Sequence, residues 1–179
     1  MKLKNILVAT DFTEGAEAAA RYAAQLASAT GGRLILLHVL PLFAAADAEE
    51  IALTDLEVRS QAKLDALARE LHKKQGVSVT RLLKPGNAAE EITALASKVK
   101  ANLIVLGCSA CLKAKREVAN AVIQKTQIPV LAIPAGAVFI PGADLSYVQK
   151  AGQTEMYFVA GEPELLQSEG IRAACANAT

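Results

Sequence analysis

The chain has 179 residues, 53% of them hydrophobic and 21% charged, which is enough apolar surface for the core of one domain and little beyond it. Nineteen Lys and Arg against 18 Asp and Glu leave a net charge of +1, and aromatics are 4% with Trp absent, so neither an electrostatically driven nucleic-acid binder nor a base-stacking platform is expected. Met1–Asn5 runs straight into a short apolar stretch, no apolar run approaches membrane-spanning length, and three Cys make no disulfide framework; the expectation is a cytoplasmic protein with neither nucleic acid nor membrane as partner.

In chain order, Ile6-Leu7-Val8-Ala9 is a short continuous apolar run of the kind that suits a strand covered on both faces. A helix is predicted over Thr13–Thr30: Ala16, Ala19, Ala20, Ala23, Leu26 and Ala27 share one stripe, Thr13 is placed to cap it, Glu14 and Glu17 sit in its first turn, and Gly31-Gly32 ends it. Leu34–Leu37 with His38-Val39 is the second strand. A second helix is predicted over about Leu53–Lys74, burying Leu64, Leu67, Ala68 and Leu71. Val77–Leu82 alternates in character, as an edge strand does. A third helix opens at Asn87, with Glu90 in capping-box spacing, and buries Ile92, Leu95, Ala96 and Val99. Leu103–Leu106 and Val130–Ile133 are two more buried strands, separated by a helix from about Lys113 to Thr126.

The alternation implies an α/β fold: an open five-stranded parallel sheet of order 3-2-1-4-5, with helices on both faces and a C-terminal extension. Residues 1–135 form the domain and 136–179 the extension, in which Met156–Ala160 reads as a strand and Glu162–Ala178 as a helix. Ligands in such sheets bind beyond the carboxyl ends of the strands, where the order reverses between strands 1 and 4. Two segments therefore carry the interest: Ala9–Thr13 and Gly107–Cys111.

Asn5-Ile6-Leu7-Val8-Ala9-Thr10-Asp11-Phe12-Thr13 resembles the opening of a universal stress protein, whose first strand ends in an Asp followed two residues on by Ser or Thr. Leu36–Val39, Leu103–Gly107 and Ile128–Pro134 are similar to that family's second, fourth and fifth strands, so the resemblance covers about residues 1–135. Many members bind ATP, and the resemblance puts Ala9, Thr10, Asp11 and Val39 at the adenine and ribose and Gly107 at the first glycine of a phosphate loop, G-x2-G-x9-G-[S/T]. Counted forward from Gly107, the other three positions hold Ala110, Asn120 and Ala121. Counted back from Pro129, the final pair is Arg116-Glu117, the register that places Val118–Pro129 on the family's fourth helix. In both registers the later glycines are absent, and a Glu beside phosphate would repel it. The expectation is no cofactor, or at most weak binding of ATP or another adenine nucleotide. Asp11 is equally placed to stabilise the first helix, and Val39 to fill the core.

Cys108-Ser109-Ala110-Cys111 is a C-x-x-C at a helix start, which would suit thiol redox exchange; small residues filling a tight loop explain it equally. Cys175 lies far along the chain and His38 and His72 are isolated, so no metal site is expected. No Ser-His-Asp arrangement or Walker loop is present, and no catalytic residue is assigned. Val130, Leu131, Ala132 and Ile133 would form an apolar sheet edge. Family members commonly dimerise there; the C-terminal extension could instead cover it. The expectation is a non-enzymatic stress-associated protein, a homodimer through that edge or the binder of a protein partner. A nucleotide-binding switch and a thiol sensor through Cys108 and Cys111 are the alternatives.

Overall fold

The computed structural model describes residues 3–41, 50–108, 113–134 and 156–158. Strand β1 spans Asn5–Ala9, helix α1 Glu14–Thr30, β2 Arg33–Pro41, α2 Glu50–Gln75, β3 Val79–Gly86, α3 Ala88–Lys98, β4 Leu103–Cys108, α4 Lys113–Lys125, β5 Val130–Pro134 and β6 Met156–Phe158. The sheet order is β3-β2-β1-β4-β5-β6, every neighbouring pair parallel. The first five strands follow the expected 3-2-1-4-5 order.

Side chains alternate across the strands, and the sheet divides the core into two. Ile6, Val8, Leu34, Leu36, Leu103 and Val105 pack beneath α1 and α2, whereas Leu7, Ile35, Leu37, Ile104 and Leu106 pack beneath α3 and α4. Burial on both faces explains why these strands are unbroken apolar runs. Helix α1 lays a surface of small residues on the sheet, with Ala19, Ala20, Ala23, Ala24 and Ala27 all buried, and so approaches it closely. It ends in a Schellman-type cap: Gly31 is left-handed at φ 66°, and the Gly32 N–H donates to Ala27 O at 2.9 Å.

Helix α3 starts where its sequence indicates. Asn87 Oδ1 accepts from the N–H groups of Ala89 and Glu90 at 3.0 and 3.3 Å. Glu90, in capping-box spacing, meets Lys125 Nζ on α4 at 3.2 Å. Helix α2 begins at Glu50, before the expected Leu53, and β3 runs on to Gly86.

The edge is where the expectation changes. Strand β5 is not the end of the sheet: Val130, Leu131 and Ala132 are in register with Met156, Tyr157 and Phe158 of the same chain. A strand leaves a row of unpaired backbone groups that another strand will take up, and here the extension supplies it. The expected helix over 162–178 lies outside the described residues.

Candidate functional site

The middle of the sheet positions the residues singled out by the sequence. Ala9 pairs with Leu37 on one side and Leu106 on the other, so β1 ends first, while β2 runs on to Pro41 and β4 to Cys108. Thr10 prolongs the ladder by one bond, its N–H donating to Leu37 O at 2.8 Å. Thr10 is buried, Ala9 and Val39 are half-buried on the α3/α4 side, Gly107 is half-buried, and Asp11 is exposed. The structure therefore brings Ala9, Thr10, Asp11, Val39 and Gly107 to one end of three adjacent strands.

From here the chain must reverse into α1, and it does so through Phe12, whose φ is 59°. A non-glycine residue in the left-handed region costs roughly 1–2 kcal/mol, so the turn must be held from outside. Thr10 Oγ1 accepts from the Phe12 N–H at 3.1 Å, and Asp11 Oδ1 accepts from the Thr13 N–H at 3.1 Å and the Thr13 hydroxyl at 2.5 Å. Thr13 is the N-cap residue of α1, but its hydroxyl donates to Asp11 instead of accepting from the helix.

On the α1/α2 side the Phe12 ring rests against His38, with centroids 4.4 Å apart and planes tilted by 43°. Lys63 of α2 places its Nζ 5.6 Å from the Phe12 centroid, within cation–π range. His38 Nδ1 lies 2.7 Å from Thr10 O. A carbonyl only accepts, so Nδ1 carries the proton in this contact. His38 is thus a hydrogen-bonded strand residue, and it ties β2 to the turn. Neither the backbone of Phe12 nor the approach of Lys63 is signalled by the sequence: Phe is not a residue that marks positive φ, and Lys63 comes from a helix far along the chain.

Gly107 has a clear packing role. A Cβ there would stand 2.6 Å from the carbonyl carbon and oxygen of Gly15 and 2.7 Å from Ala16 Cα, all backbone atoms of α1. Only glycine lets β4 pass the first turn of that helix. Cys108 is the last residue of β4, its backbone in register with Pro134. Ala110 and Cys111 lie outside the described residues. Helix α4 begins at Lys113, so Arg116 and Glu117 are already helical, with Asn120 and Ala121 further along it. Among the described residues no three His, Cys, Asp or Glu side chains gather as metal ligands, and no helix is long and apolar enough to cross a membrane.

A parallel sheet reversing between β1 and β4, with an Asp-led turn at that point, is the setting in which comparison with known proteins becomes decisive. Residues 2–134 match the model of the universal stress protein family. The chain belongs to the universal stress protein family. Among solved structures, a universal stress protein family member from Burkholderia pseudomallei is 27% identical with a TM-score of 0.63, over 74% of this chain and 97% of that one. The universal stress protein from Archaeoglobus fulgidus in complex with dAMP is 24% identical with a TM-score of 0.57, over 74% and 98%. A universal stress protein in complex with cAMP is 20% identical with a TM-score of 0.55, over 75% and 99%. The last two likenesses are of fold. No curated protein sequence matches the chain. The matched region ends with β5, and the strand Met156–Phe158 stands beyond it.

Proposed function

We propose that this is a non-enzymatic, cytoplasmic universal stress protein that acts through dimerisation or partner binding, with weak or no ATP binding. The observation that carries the reading is Gly107: the one glycine retained from the family's phosphate loop already meets the backbone of Gly15 and Ala16. Its presence is accounted for by helix packing, without a phosphate. The remaining glycine positions of the loop hold other residues in either register, and counted back from Pro129 its last position is Glu117, whose charge would repel phosphate. Asp11, Glu14 and Glu17 add further carboxylates at the start of α1.

Contact with another chain then carries the function. Val130, Leu131, Ala132 and Ile133 are the edge through which a second copy would pair, and Met156–Phe158 occupies three of those positions. The two pairings exclude one another, so dimerisation through this edge requires β6 to leave it. Tyr157→Pro places a residue without an N–H in the middle of this short strand and disfavours it. Sedimentation velocity over a concentration series should find this variant dimerising at lower concentration than the unmodified chain. Two proteins that stay monomeric at every concentration would overturn the homodimer reading.

The second reading is an adenine-nucleotide switch. It is favoured by the convergence of Ala9, Thr10, Asp11 and Val39 at adjacent strand ends, where Asp11 can accept from sugar hydroxyls. Saturable AMP or ADP binding lost in Asp11→Ala would establish it, and nucleotide affinity indifferent to Asp11 would remove it.

A further inference from the structure

At the opposite end of the sheet the charge pattern is one-sided. The segments that lead into the first five strands, residues 3–5, 31–33, 76–79, 98–103 and 126–130, contain no Asp or Glu, but they carry Lys4, Arg33, Lys98 and Lys100. Part of this follows from helix electrostatics, because cations favour helix C-termini. The arrangement goes further than that. A cleft of about 400 Å³ opens between the C-terminal end of α3 and the starts of β2 and β3. Its floor includes Ile35 and Leu82, its rim Arg33, Lys98, Lys100 and Thr80, and among the described residues no carboxylate lines it.

Arg33 and the backbone of Lys100 are held in place from below. Arg33 Nε donates to Asn5 Oδ1 at 2.7 Å, and Asn5 Nδ2 donates to Val99 O at 2.8 Å and Lys100 O at 3.3 Å. Asn102 Oδ1 in turn accepts from the Lys4 and Asn5 N–H groups at 2.9 and 3.0 Å. This network fixes the guanidinium plane and the left-handed Lys100, whose φ is 51°. Arg33 spends only Nε on Asn5, and among the described residues no carboxylate pairs with Arg33, Lys98 or Lys100.

We propose that this cleft binds a small organic phosphate, a phosphomonoester whose apolar body lies against Leu82 and Val99. The planar guanidinium of Arg33 suits two phosphate oxygens at once, Lys98 and Lys100 supply point charges, and Thr80 offers a hydroxyl. The chain's net charge of +1 favours this local anion site over a polyanion surface. The cleft lies away from the carboxyl ends of β1 and β4, so the proposal stands independently of nucleotide binding there.

The test is a titration of the full-length, isotope-labelled protein with phenyl phosphate at low salt, following backbone amide shifts, with inorganic phosphate and phenol as separate arms. Saturable shifts centred on Arg33, Thr80 and Lys100 are expected, strongest for phenyl phosphate, weaker for inorganic phosphate and absent for phenol. Arg33→Gln and the double variant Lys98→Gln/Lys100→Gln should each weaken binding roughly tenfold, as loss of charge-assisted hydrogen bonds does. All three side chains are exposed, so the fold should survive, as the unchanged spectra elsewhere would show. Shifts scattered over lysines outside the cleft, no saturation, or variants that bind as well as the parent would each overturn the proposal.

Discussion

At Gly107 the backbone of β4 touches the first turn of α1, and the consequence of adding one methyl can be stated. Gly107→Ala forces a Cβ against the Gly15 carbonyl, so helix or strand must shift. Overpacking of this kind costs about 1–3 kcal/mol, to be read from the denaturant midpoint; an unchanged midpoint would show that α1 yields freely. Thr10→Val removes the acceptor of the Phe12 N–H while keeping shape, and should destabilise by about 1 kcal/mol in the same assay. Residue identities at the strand ends were readable from the sequence, but their physical roles were only partly so. Gly107 reads equally as a phosphate contact or a packing requirement until the position of Gly15 is known. The conformation of Phe12 is held by nearby Thr10 and also by His38 and the underlying core, and the last two are not revealed by its neighbours in sequence.

At the scale of elements, local signals were strong where one residue controls an end. Asn87 caps α3 with two bonds, and Asn87→Ala should cost about 1 kcal/mol in thermal or chemical unfolding. A smaller effect belongs to α2. The Glu70 carboxyl is held below its ordinary range, first by the hydrogen bond from Lys74, with burial opposing. A lowered folded pKa means that this contribution is present above the unfolded pKa and fades as pH falls through the folded one. Lys74→Gln should therefore flatten a slight part of the acid limb of the stability profile. The buried strands were legible because helices cover both faces and force continuous apolar runs. The beginning of α2 was not legible, since Thr54–Arg59 are exposed and carry no apolar stripe leading back to Glu50.

For the whole molecule, the order of the first five strands followed from alternation of strand and helix, but the partner of Met156–Phe158 did not. A three-residue strand reveals its propensity and not its neighbour, and its place beside β5 depends on the geometry of closing residues 135–155. That placement changes the expected behaviour of the protein, because the edge that would pair with a second copy is already occupied along Val130–Ala132. The two ends of the sheet also differ in character: an Asp-led turn with Gly107 closed by packing at one, and a carboxylate-free basic cleft at the other. The proposed function requires that the first of these does not hold ATP in the usual way. It is tested most directly by calorimetric titration of the purified, nucleotide-free full chain with Mg-ATP, ADP and AMP. The expected result is no saturable heat at millimolar ligand, with Asp11→Ala indistinguishable from the parent. Saturable binding of Mg-ATP that is lost in Asp11→Ala would contradict the claim and make the protein a nucleotide-binding member of its family.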